Sequence, residues 1–352
     1  MKRILIIFSV LLCLSATAYA YDIPELDGYD IYNSAAKEMA EGRFSLSPTD
    51  VLNRIGDTVS GEVRSFSKTV AAILVMSLLS STVNTLNTAL GNGASANAAF
   101  FTFFTVIGSL ALTCFFKTLS YATEVMGYMT DFMGKLSPVI IITLFACCKP
   151  ASAAAFEPVL SAAVVIVSEV IKRCLVPLIT FSAVLSVVGN IGDKAGISGF
   201  VRIVKSAAKW IMALVITVFT GINTIYGFAT PALDAVGTRT LKFAVGSLVP
   251  VVGGFLSDTL DTVAASGAVV KNAVGASGIV MLAIMCIPPI IKLGIMQLMF
   301  KLSSAITEPI ANKRISKMLW DMGDAFMALF GVVVLSSIMF IINICIIIRF
   351  TQ

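Results

Sequence analysis

The chain is 352 residues long, 57% hydrophobic and 13% charged, with a net charge of +5. Soluble domains carry about 45–50% apolar and about 25% charged residues, so this chain has too little polar surface for water and reads as an all-α polytopic membrane protein. It has no histidine, which excludes histidine-based nucleophile dyads, metal sites and proton relays.

Residues 1–20, MKRILIIFSVLLCLSATAYA, hold two early basic residues, an apolar core and Ala18-Tyr19-Ala20. That order is the pattern of a cleaved signal peptide and predicts an external N-terminus for the mature chain. Residues 21–68 read as an external polar tail with an amphipathic helix over 48–68. Pro48 and Thr49 precede Asp50 at its start, and Val51, Ile55 and Val59 share one face. Residues 69–352 form the multi-span membrane domain.

Six runs of roughly 20 residues, enough to cross a ~30 Å hydrocarbon core, are predicted spans: 69–90, 97–116, 174–192, 210–228, 276–299 and 325–348. Two shorter apolar runs, 136–148 with Pro138 and 243–256 with Pro250, read as re-entrant or interfacial segments. Segment 151–171 is intermediate, with Glu157 and Glu169 inside it. Six spans place 193–209 and 300–324 in the cytoplasm. These stretches hold Lys194, Arg202, Lys205 and Lys209, and Lys301, Lys313, Arg314 and Lys317, as the positive-inside rule requires. The C-terminus then falls outside, with Arg349 in mild dissent.

A shift of 112 residues lays GKLSPV at 134–139 on GSLVPV at 246–251, and Cys174 and Pro177 on Cys286 and Pro289. It also lays Arg202, Ile203 and Lys205 on Arg314, Ile315 and Lys317. The expectation is an internal duplication, units 134–228 and 246–345, each with a proline-broken span and a basic internal helix. Proline removes a helix hydrogen bond, and in lipid the freed carbonyl must find a partner. Glu169, Lys172, Arg173 and Lys292 are costly beside hydrocarbon. These charges, with Pro138, Pro177, Pro250, Pro288 and Pro289, are therefore expected to face a bundle interior or a wet cavity. The alternatives are snorkelling of Lys292 and a helix end at Lys172 and Arg173.

No catalytic, metal or cofactor motif survives inspection. GISG at 196–199 and GASG at 275–278 match the GxSG of rhomboid-type intramembrane proteases, but that chemistry needs a histidine base, and close helix approach is the better reading. GNGASA at 91–96 reads as a tight turn, and no phosphate-loop sequence is present. The seven cysteines show no CxxC and read as small hydrophobes.

The ordered set TRTLKFAVGSLVPVVGGFLSDTLDTV at 238–263, VVKNAVGASGI at 269–279, CIPPIIKL at 286–293 and EPIANKRISKML at 308–319 resembles the stage III sporulation protein AE family. The resemblance implies a location in the mother-cell membrane around the forespore. It also implies partnership with the other stage III A operon membrane proteins and the forespore stage II protein Q, in a transenvelope channel. It supplies no catalytic residues and no cofactor. Three functions follow: a non-enzymatic channel subunit, a stand-alone secondary transporter with a site at the broken helices, or a membrane scaffold.

Overall fold

The computed structural model describes residues 48–89, 93–147, 150–190, 196–248, 253–310 and 312–349. The expected signal peptide, the tail as far as residue 47, Lys194 and Pro250 lie outside the described residues. The helices are α1 Pro48–Ala89, α2 Gly93–Ala146, α3 Pro150–Val170, α4 Val176–Val188, α5 Gly196–Leu248, α6 Gly253–Thr307 and α7 Lys313–Arg349, with a π-helical turn, Ile171–Leu175, joining α3 to α4. No strand occurs among the described residues. In lipid a segment must satisfy its own backbone, and helices do so. Hydroxyls within them follow suit: Thr118, Ser186 and Thr307 each donate to the carbonyl four residues back.

Five helices among the described residues are long and apolar enough to cross a membrane, over Val59–Val83, Ala98–Phe145, Gly199–Ile225, Ala264–Thr307 and Lys313–Ile346. The predicted span 174–192 begins within the π-helical turn Ile171–Leu175, through which α3 runs on into α4 as one helical stretch. Two expectations are corrected. The run 136–148 is not re-entrant: Pro138 lies inside α2, which continues to Ala146. The amphipathic stretch and the first span are one helix, α1, with no boundary at 68.

The chain reverses direction at each loop between helices, while α3 and α4 run in one direction through the π-helical turn. Ser304 bonds Ser316 and Gly294 packs against Phe330, so α6 and α7 form an antiparallel hairpin. Lys205 of α5 meets Asp321 of α7, and Met212 meets Gly331 further along, so those two helices run parallel. The basic starts of α5 and α7 therefore share one end of the bundle. Of the pairs offset by 112, Pro177 with Pro289, and Arg202, Ile203 and Lys205 with Arg314, Ile315 and Lys317, fall on corresponding helices of the α4–α5 and α6–α7 hairpins, whereas 134–139 lies in α2 and 249–251 lie outside the described residues. The wide turn before Pro177 has no counterpart at Pro289, where α6 is continuous.

A run of rings fills the space between helices. Phe66 of α1 lies 5.5 Å from Phe300 of α6, which stacks at 5.0 Å on Phe326 of α7, which in turn meets Phe115 of α2 at 5.5 Å. All four are fully buried, and aromatic pairs of this kind add about 0.5–1.5 kcal/mol each beyond their area. Cys114 and Cys286 lie in the same interior, with Sγ 3.9 Å from Met296 Sδ and 3.8 Å from Met129 Sδ.

The two GxSG motifs part company. A Cβ at Gly275 would collide with Ile348 of α7, and one at Gly278 would lie 2.8 Å from Leu136 of α2, whereas nothing lies within 4 Å of a Cβ at Gly199. Close approach is thus a property of GASG and not of Gly199. Gly275→Leu should cost about 1–3 kcal/mol in thermal unfolding of the detergent-purified chain, by forcing α6 from α7. Gly199→Ala should cost nothing and gain up to about 1 kcal/mol of helix propensity.

Candidate functional site

Lys292 follows Pro288 and Pro289 by about one turn of α6. Those prolines cannot donate to the carbonyls of Ile284 and Met285, yet α6 passes through them unbroken. The lysine points inward. Its Nζ is 3.0 Å from Oε1 of Glu62 on α1, with the two side chains 2% and 6% exposed. The same Nζ sits 4.5 Å from the ring centroid of Tyr121 on α2. Three helices thus meet at one buried charge pair with an aromatic face against the cation. Removing two ions from water costs several kcal/mol each, so the pair persists only because each satisfies the other. The second oxygen, Glu62 Oε2, is enclosed and accepts no hydrogen bond from a described residue. Sequence reading finds Lys292 and misses both partners. Glu62 carried a signal, since it continues the spacing of Val51, Ile55 and Val59 and so puts an acid on an apolar stripe.

The other predicted charges lie on the outer surface. Proline at 177 cannot donate to the Arg173 carbonyl, and the helix widens just before it. Val176 N–H donates to Ile171 O, five residues back, which is the π-type bond. Lys172 and Arg173 on this turn are exposed, and Arg173 pairs with Glu169 one turn earlier. Pro138 is also exposed, beside an apolar groove of about 400 Å³ between α2 and α3 that includes Gly134, Ile142 and Val165.

Sequence reading also misses a charged stripe on α2. Lys117, Glu124, Asp131 and Lys135 are all exposed and fall within about 40° of one another around the helix. The Tyr128 hydroxyl, on the same side, donates to Glu124 at 2.7 Å. The depth of this stripe is fixed by contacts on the flank of α2 that turns toward α6. Tyr121 touches Lys292, Met129 touches Cys286 and Leu136 packs at Gly278, so the stripe runs beside 278–292, the middle of the apolar stretch of α6. At that depth the outer face of α5 is the opposite in character: Leu214, Val218, Ile222 and Ile225, all exposed, form an uncharged stripe. The bundle is therefore amphipathic as a whole, with one apolar side and one charged side at a common level.

At the basic end, Asp321 accepts from Lys205 Nζ at 3.0 Å and Asn190 Nδ2 at 3.1 Å, and Asp324 bridges Lys205 and Lys301 at 3.3 and 3.1 Å. This network ties the α4–α5 turn and the end of α6 to α7. Among the described residues no three cysteine or carboxylate side chains gather as a metal cage.

The sequence matches the family described as Stage III sporulation protein AE over residues 31–351. It is 26% identical over 311 residues to the Stage III sporulation protein AE of Bacillus subtilis (strain 168), covering 88% of this chain and 78% of that one. No solved structure matches it. The chain belongs to the stage III sporulation protein AE family.

Proposed function

We propose that this chain is a non-enzymatic membrane subunit that walls a conduit between mother cell and forespore, with its charged α2 face turned to water. Its partners in this reading are the other stage III A operon membrane proteins and the forespore stage II protein Q, as the family resemblance implies. The mature N-terminus and the C-terminus lie outside, and the shared basic end lies in the cytoplasm. The α4–α5 and α6–α7 hairpins are read as duplicates, repeated side by side in one orientation.

The observation that carries the proposal is the α2 stripe. A charged residue at the centre of a membrane helix costs about 2.5–3.5 kcal/mol on insertion scales, so Glu124 and Asp131, midway along the stripe, would together cost about 5–7 kcal/mol against lipid. The apolar α5 face carries no such cost and suits lipid. The charged face therefore meets water or protein. Because rings fill the space between α1, α2, α6 and α7, the conduit runs between subunits rather than through one of them.

Those same packed rings favour a second reading, a scaffold that holds partners without conducting. Glu124→Leu together with Asp131→Leu separates the two. The conduit reading expects heat-resistant spore counts to fall by about tenfold or more, while membrane levels of the protein and its co-isolation with partners stay unchanged, because the new side chains favour insertion. Normal spore counts would leave the scaffold.

A further inference from the structure

A cleft of about 310 Å³ opens at the basic end, between the last turn of α4 and the first turns of α5 and α7. Arg202 and Lys205 of α5, Lys317 and Asp321 of α7, Ser186 of α4 and Asn190 just beyond it line it. Three cations thus face one carboxylate. That carboxylate is already engaged, since Asp321 accepts from both Lys205 and Asn190. Arg202 and Lys317 are exposed and form no ion pair with a described residue. The network that consumes Asp321 therefore builds a wall and leaves two cations directed at whatever enters the cleft.

The position of the cleft narrows what that is. The chain has only two tryptophans, and both flank this end: Trp210 lies about one turn beyond Lys205 and is 74% exposed, and Trp320 adjoins Asp321 and is 48% exposed. Lys301 rests 4.5 Å from the Trp320 ring centroid. Tryptophan and basic side chains gather where hydrocarbon gives way to headgroups. We infer that the cleft is an anion site for a phosphate ester, filled by the headgroup of an anionic phospholipid. Arg202 and Lys317 contact the phosphate, and Lys205, held by Asp321 and Asp324, supports the field at the floor. Guanidinium and ammonium groups suit this ligand, one as a two-pronged donor and the other as a point charge. The inference is independent of whether the protein conducts.

The test is a titration of the full chain, purified in an uncharged maltoside detergent, with the emission of its two tryptophans as signal. The probes are dihexanoyl phosphatidylglycerol, dihexanoyl phosphatidylcholine and inorganic phosphate. Phosphatidylglycerol should give a saturable change, and phosphatidylcholine should bind far more weakly. R202Q together with K317Q should weaken phosphatidylglycerol about thirtyfold, the loss of two charge contacts of ordinary strength. K313Q, at the same end but outside the cleft, should leave the affinity unchanged. Both altered side chains in the double variant are exposed, so its melting without lipid should match that of the unaltered chain. Saturation by inorganic phosphate at the same concentration as phosphatidylglycerol would keep the anion site and assign it to a soluble phosphate ester. Equal affinity of the double variant and the unaltered chain, or an equal loss in K313Q, would overturn the site.

Discussion

Lys292→Leu should destabilise the membrane-inserted chain by about 3–5 kcal/mol, and adding Glu62→Leu should recover most of that loss. The single change leaves the Glu62 carboxylate enclosed beside Tyr121 with its cation gone, and removes a cation–π contact of about 2 kcal/mol at a desolvated site. The double change replaces a buried ion pair with apolar volume, which is often neutral or better. Unfolding of the four chains in mixed micelles gives the coupling directly, because the two positions touch and their effects do not add. Equal instability of the single and double variants would mean that the pair is not the partnership its geometry indicates. Spore formation gives a second readout: the double variant sporulates normally if the pair serves folding alone, and fails if the pair takes part in gating.

The helical, multi-span character of the chain was legible in composition, because apolar runs of this length have one backbone solution in lipid. So was the clustering of basic residues, and the structure brings both basic stretches to one end. Proline was the less reliable guide. Pro177 coincides with a widened turn, whereas Pro138, Pro288 and Pro289 sit in unbroken helices, since neighbouring packing overrides one or two lost hydrogen bonds. Lys292 stood out as a lone cation in an apolar run. Its partner Glu62 was marked only as an acid on the Val51, Ile55 and Val59 stripe, and nothing local ties it to a lysine 230 positions away. The α2 stripe was hidden for a different reason. With 97–116 and 136–148 read as separate apolar pieces, the residues between them belonged to no predicted element. Only a continuous α2 turns Lys117, Glu124, Asp131 and Lys135 into one face.

That face carries the second large effect. In a cysteine-free background, Glu124→Cys and Asp131→Cys should react readily with a charged, membrane-impermeant maleimide in opened membranes of sporulating cells. Leu214→Cys and Ile225→Cys should react at least about tenfold more slowly, because the reactive thiolate forms only where water reaches. The comparison is fair in depth. Met212 packs at Gly331 and Phe330 at Gly294, which sets Leu214 within about a turn of the level of Lys292 and Tyr121. A stripe that simply projected beyond the membrane would carry Leu214 with it, and both faces would then label alike. Strong labelling at 124 and 131 with protection at 214 and 225 is the result predicted for a bundle with one wet side and one lipid side. Protection at 124 and 131 equal to that at 214 would contradict it.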